Sequence, residues 1–148
     1  MRARPALIAL AAAPLLVLPS AAGAADGGRP FATDLTGAAE LQPADADATG
    51  HAALTLNQGR STVCFDLSWA DIDGEVIAGH IHIGSADVNG PVVVGLLSGG
   101  FAGTDTASGC LTGVDPALVK DIRKNPANYY VNIHSTVYPA GAVRGQLG

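Results

Sequence analysis

The sequence predicts an all-β domain, an antiparallel Greek-key sandwich or barrel with one short helix, and three observations carry that expectation. Apolar and polar residues alternate with a period of two through about seven short runs, the spacing of strands that bury one face. Turns rich in glycine, proline and asparagine separate those runs, and the 148 residues include 19 glycines but only 5% aromatics. A helix signal occurs once, at Asp115-Pro116.

In chain order, Phe31, Thr33 and Leu35 alternate with smaller residues, and residues 37–42 continue as an extended segment up to Pro43. A small polar loop over 44–49 leads to a strand with Ala52, Leu54 and Leu56 on one face. Asn57-Gln58-Gly59-Arg60 is a turn. It joins this strand to one in which Val63, Phe65, Leu67 and Trp69 should fill the core, so the two form an antiparallel hairpin. Residues 70–75 make an acidic loop with Gly74 as its positive-φ residue. Asp71, Asp73 and Glu75 resemble the start of a calcium loop, but no spaced ligands and no closing glutamate follow, so the loop reads as solvated.

The next strand, residues 76–83, places His80 and His82 on one face and Ile81 and Ile83 on the other. A turn-rich loop over 84–91 follows. Residues 92–97 are apolar on both faces, as in a strand covered from both sides. After a glycine-rich loop comes a strand carrying Cys110. Asp115 then caps a helix, Pro116 takes its first position, Leu118, Val119 and Ile122 form its apolar stripe, and Asn125-Pro126 stops it. The last hairpin runs through residues 128–135, turns at Tyr138-Pro139-Ala140-Gly141 and returns over 142–147. Val131, Ile133 and Val143 should be core, with Tyr130, Asn132 and His134 on the opposite face.

The amino terminus sets the address. Met1-Arg2-Ala3-Arg4-Pro5, an apolar run from Ala6 to Leu18, and Ala22-Gly23-Ala24 before the break describe a Sec-type signal peptide over residues 1–24. Ser20-Ala21-Ala22 also fits the cleavage pattern. Residues 25–30 read as a flexible lead-in and residues 31–148 as one β domain, secreted and without a membrane span. The formal charge of −5 becomes more negative once Arg2 and Arg4 leave, and the other basic residues are scattered along the chain, which argues against nucleic acid as a partner.

Cys64 and Cys110 are the only cysteines. Export would place them where disulfides persist, no C-x-x-C marks a redox pair, and a bridge between them would be worth ~4 kcal/mol through the loop it closes.

Two readings attach to the histidines. His80 and His82, two apart on a strand, could hold one metal ion with His134 from a neighbouring strand, and neutral imidazoles suit copper, with zinc the lesser choice. In the other reading the three are hydrogen-bonded polar groups of a packed sheet face. Tyr130, Asn132, Arg144 and Gln146 could share that face, as a patch for a small anion or as ordinary solvated side chains. No serine lies in a G-x-S-x-G elbow, and nothing sets Glu40 opposite Glu75, so no catalytic residue is assigned and an enzyme is the lesser expectation.

His80-Ile81-His82-Ile83-Gly84, Asn89-Gly90-Pro91-Val92-Val93, Asn125-Pro126, Tyr129-Tyr130-Val131-Asn132-Ile133-His134, Pro139 with Gly141, and Arg144-Gly145-Gln146-Leu147 together resemble the CHRD domain, over about Phe31 to Leu147. The resemblance implies an all-β secreted module, repeated in chordin and found alone in bacterial proteins, that binds an extracellular ligand or protein or serves a structural role without catalysis. A looser similarity is to copper-zinc superoxide dismutases, Greek-key barrels that hold copper partly by a His-x-His on one strand and a histidine ending a later one. That similarity implies copper at His80, His82 and His134 and dismutase-like redox chemistry. The chain departs from that family in lacking a histidine-rich zinc loop and a bridging histidine, with only His51 left over.

Overall fold

The structure is a computed structural model and describes residues 28–148. The signal peptide at 1–24 and residues 25–27 of the 25–30 lead-in lie outside the described residues. Eight strands follow in order: β1 (Arg29–Thr36), β2 (Thr49–Asn57), β3 (Thr62–Ala70), β4 (Val76–Ile83), β5 (Val92–Ser98), β6 (Thr106–Thr112), β7 (Tyr129–Ser135) and β8 (Val143–Gln146). One helix, α1 (Pro116–Lys124), lies between β6 and β7.

The strands form one antiparallel sheet in the order β5-β4-β7-β8-β1-β2-β3-β6, which curls until its two edges, β5 and β6, approach one another. It is thus a nearly closed barrel. After the β1-β2-β3 meander the chain crosses to β4 and comes back to β3 only with β6, while β7 returns to the far side of β4, a Greek-key path. The expected hairpin holds without a register slip from Thr49 opposite Ala70 to Asn57 opposite Thr62.

Period-two alternation explains the interior. Leu35, Leu54, Leu56, Val63, Leu67, Ile81, Ile133 and Val143 are buried and meet inside the barrel. Each such side chain contributes about 1.5–3 kcal/mol relative to exposure. Helix α1 adds Val119 and Ile122 to the same core. Its start follows the sequence expectation, since Asp115 Oδ1 accepts from the amide of Ala117 at 2.8 Å and Pro116 takes the first turn. Gly74 has φ 82°, also as expected.

Cys64 and Cys110 stand opposite one another on β3 and β6 and form a disulfide. The bridge staples the edge strand β6, which pairs through β3.

Several expectations are corrected. Arg29 and Pro30, placed in the lead-in, already belong to β1, where they pair with Leu56 and Thr55. Proline is tolerated there because β8 reaches β1 only at Thr36, so its missing N–H interrupts no second ladder. Residues 37–39 form a 3-10 turn rather than an extended segment, closed by the amide of Glu40 donating to the Gly37 carbonyl at 3.1 Å. Strand β5 is not covered from both sides. It is an edge strand, and Val92 is 49% exposed. Ile83 leaves the apolar face at the strand end and lies exposed, while Ile81 stays inside. Phe65 is only partly buried, lying over Gly109 on the neighbouring strand.

The largest difference concerns β7. All of its residues are buried, so the face carrying Tyr130, Asn132 and His134 is covered as completely as the face carrying Val131 and Ile133. The cover comes from the loops between β1 and β2, β4 and β5, and β7 and β8, whose Glu40, Gly90 and Pro139 all bond to side chains of this face. Among the described residues no helix is long and apolar enough to cross a membrane.

Candidate metal centre

Strands β4 and β7 are neighbours, with His80 opposite Asn132, His82 opposite Tyr130, and Ala78 opposite His134. With Ile81 turned into the barrel, His80 and His82 point outward from β4, and His134 arrives beside them from β7. Ring centroids are 4.8 Å apart for His80 and His134, 5.6 Å for His80 and His82, and 6.0 Å for His82 and His134. One nitrogen from each ring lies within 4.8 Å of the other two. Nitrogens held at about 2.0 Å from one ion in a trigonal set sit roughly 3.5 Å apart. The rings therefore need to close by about an ångström, within the reach of small side-chain rotations.

Backbone carbonyls decide which nitrogens are free. His82 Nδ1 lies 2.8 Å from the Gly90 carbonyl and His134 Nδ1 lies 3.1 Å from the Pro139 carbonyl. A carbonyl can only accept, so both Nδ1 atoms carry the proton and both Nε2 atoms present a lone pair. His80 Nδ1 lies 3.0 Å from His134 Nε2 and, in the metal-free protein, donates to that lone pair. His82 Nε2 is buried and has no hydrogen-bond partner. An orphaned lone pair among imidazoles whose far nitrogens are anchored is the arrangement that histidine metal ligands adopt.

Electrostatics keep the cluster neutral. Burial, then the neighbouring His134 and His82, push His80 down from 6.5 to about 4. Burial, joined by the charge of Arg144, also lowers His82 against the opposing pulls of the Gly90 carbonyl and the nearby Asn132 side chain, and burial lowers His134 against that of the Pro139 carbonyl. At neutral pH all three are uncharged, the form that ligates.

A ring of further contacts supports the histidines. Tyr130 stacks on His82 with centroids 4.8 Å apart and planes 9° from parallel, and its hydroxyl accepts from the Gly90 amide at 3.2 Å. Arg144, although charged, is 1% exposed. Its guanidinium lies 3.4 Å from the centroid of Tyr130 and donates to Ser85 O at 2.7 Å, Val88 O at 3.1 Å and Asn89 Oδ1 at 3.1 Å. Gln146 donates to Gly84 O at 2.8 Å and Ala127 O at 2.7 Å. Arg144 and Gln146 thus hold the 84–91 loop and the turn before β7, with donors directed at oxygens of the chain itself rather than at an open anion patch. Asn132 donates to Glu40 Oε1 at 2.8 Å, and its own Oδ1 is buried without a partner.

The structure brings His80, His82 and His134 together and sets Tyr130, Asn132 and Arg144 around them. His51 is elsewhere, paired to Asp34 at 2.9 Å across β1 and β2. Sequence reasoning missed Glu40 and the Gly90 and Pro139 carbonyls. Backbone carbonyls leave no residue-type signal, although both lie in motifs that marked the chain. Glu40 had none, and burial raises its carboxyl against the lowering effects of Asn132 and Arg144.

A family model described as the CHRD domain matches residues 31–147. Comparison with curated proteins finds no match, and comparison with solved structures finds none either.

Proposed function

The chain belongs to the CHRD-domain family, and from that premise, joined to the geometry of the three imidazoles, we propose that it is a copper-binding module with His80, His82 and His134 as ligands. The observation that carries this reading is the buried, partnerless Nε2 of His82, with its Nδ1 anchored on Gly90. A histidine serving only to pack would place its second nitrogen on a partner or in water. Donation by His134 Nδ1 to Pro139 prepares a second lone pair. His80 completes the set through Nδ1, once its proton passes to the other ring nitrogen.

The donor set favours copper over zinc. Three imidazoles with no thiolate among them fit both ions, but affinity for divalent metals in such sites peaks at copper. Copper held there supplies one-electron redox chemistry. His80 is the partly exposed ligand, so ion and small redox partners approach from its side. Export through the residue 1–24 signal peptide accords with the Cys64–Cys110 bridge, which persists in oxidising compartments.

A second reading, a binding or structural module without catalysis, is supported by the hydrogen bonds that already tie the imidazoles to one another and to two loops. Metal analysis separates the two. The first expects one copper per chain after loading and dialysis, lost when His80 and His82 are replaced by alanine. Wild-type protein that emerges metal-free would overturn it.

A further inference from the structure

Four of the eight basic residues are gathered in space. Arg29 at the start of β1, Gln58 in the β2–β3 turn, and Lys120, Arg123 and Lys124 of α1 line one cavity of about 210 Å³. From this cavity we infer a second binding site, unrelated to the histidines, for a phosphate dianion, either free or as the monoester of a small polyol.

Four cations in a chain of formal charge −5 converge there, and among the described residues no acidic side chain lines the cavity. Among the described residues no carboxylate forms an ion pair with any of the four. The nearest acid on the helix, Asp121, is turned to Tyr129 and Asn125, which both donate to it. Arg29 donates to the carbonyl of Arg123, which seats its guanidinium at the helix end. Attraction to that helix terminus accounts for part of the arrangement, since a carboxy-terminal macrodipole is worth about half a negative charge. Four positive charges exceed it several-fold.

The donor chemistry points to an oxyanion. Arg123 lines the cavity, and its Nε, closed to solvent as the side chain lies, has no hydrogen-bond partner, so a small side-chain rotation offers that donor to a ligand. Nε–H and the adjacent terminal amine of a guanidinium form the parallel pair of donors that grips two oxygens of one phosphate. Lysine ammonium groups then add point charge, which favours a dianion over a singly charged carboxylate. At about 210 Å³ the cavity is smaller than the ~300–1,000 Å³ of ordinary ligand pockets, which suits an ion or a small ester rather than a polymer.

The test is an amide-resolved NMR titration of the purified protein at neutral pH, once with inorganic phosphate and once with glycerol 3-phosphate, chloride holding ionic strength constant. Saturable shifts confined to the amides of Gln58, Lys120, Arg123 and Lys124 are expected. Equal affinity for the two probes means that the phosphate group alone is held, and tighter binding of the ester means that the cavity takes the polyol as well. The exposed pair K120Q/K124Q, whose spectrum elsewhere should match wild type, is expected to weaken binding about tenfold, the scale of a lost charge-assisted bond. R123Q should do the same independently. Absence of saturable shifts with both probes, or shifts that both variants leave intact, overturns the site.

Discussion

Tyr130 lies flat on His82, 4.8 Å between centroids and 9° between planes, and Gly90 joins the two, its carbonyl facing His82 Nδ1 and its amide donating to the Tyr130 hydroxyl. The orientation of a proposed ligand therefore depends on a loop, and that loop depends on Arg144, which is buried beneath it and donates to Ser85, Val88 and Asn89. A chain of contacts runs from a residue on β8 to a ring nitrogen on β4.

Replacing Arg144 by leucine should act at both ends of that chain. It removes three guanidinium hydrogen bonds to the 84–91 loop, leaving Val88 O without that donor while Ser85 O keeps the Val88 amide, and urea unfolding should show a loss of about 1–3 kcal/mol. Copper affinity should fall about 10–100-fold, as when the partner of a ligating histidine is removed. Calorimetric titration of the folded variant reads the second effect. Unchanged affinity would mean that Gly90 holds its place without Arg144.

His82→Ala and His51→Ala should differ sharply. The first removes the orphaned nitrogen and should abolish stoichiometric copper uptake. The second removes an exposed pair with Asp34 on other strands, and should leave uptake unchanged with stability within about 1 kcal/mol of wild type.

Acid should destabilise the metal-free protein through the histidines. His80 titrates at about 4 when folded against 6.5 when free, so the unfolded chain takes up the proton first. Its contribution is fully present above 6.5 and is lost as pH falls from there toward 4, with His82 and His134 acting in the same direction. Glu40 opposes them, because its raised carboxyl binds a proton more readily in the folded state. Urea midpoints across that window should fall for wild type and fall less for H80Q. Equal slopes would show that His80 is not held neutral.

Gly141 should resist substitution. Its φ is 143°, and a Cβ there would lie 2.3 Å from Glu40 Oε1 and 2.5 Å from Asn132 Nδ2. Gly141→Ala should cost about 1–3 kcal/mol in strain, seen as a lower Tm. Because Gly141 is in the turn that carries the Pro139 carbonyl to His134, copper binding should weaken as well.

Replacing Cys64 and Cys110 by serine should lower stability by about 2–4 kcal/mol, by freeing the unfolded chain and releasing β6. Copper uptake by the folded fraction should be unaltered, since that bridge joins β3 to β6 while the histidines stand on β4 and β7.

Much of the scaffold is legible in the sequence. Alternation marked the core of β2, β3 and β7, Asp115-Pro116 marked the helix start, and Tyr138 to Gly141 marked the last turn. These are signals carried within a few residues, where side-chain period and backbone preference act directly. The errors fell where the outcome depended on distant chain. Val92 and Ile83 read as interior by composition, yet one lies on an edge strand and the other at a strand end.

The histidines divide in the same way. From the sequence alone, His80 and His82 must share a face, because two residues along a strand return a side chain to the same side. Whether His134 joins them depends on β7 lying next to β4, a pairing between segments 54 residues apart along the chain. Tertiary structure alone buried that outer face, since three loops from separate parts of the chain close over it. Local order is written in spacing, whereas neighbours across a barrel emerge only when the whole chain has closed on one core.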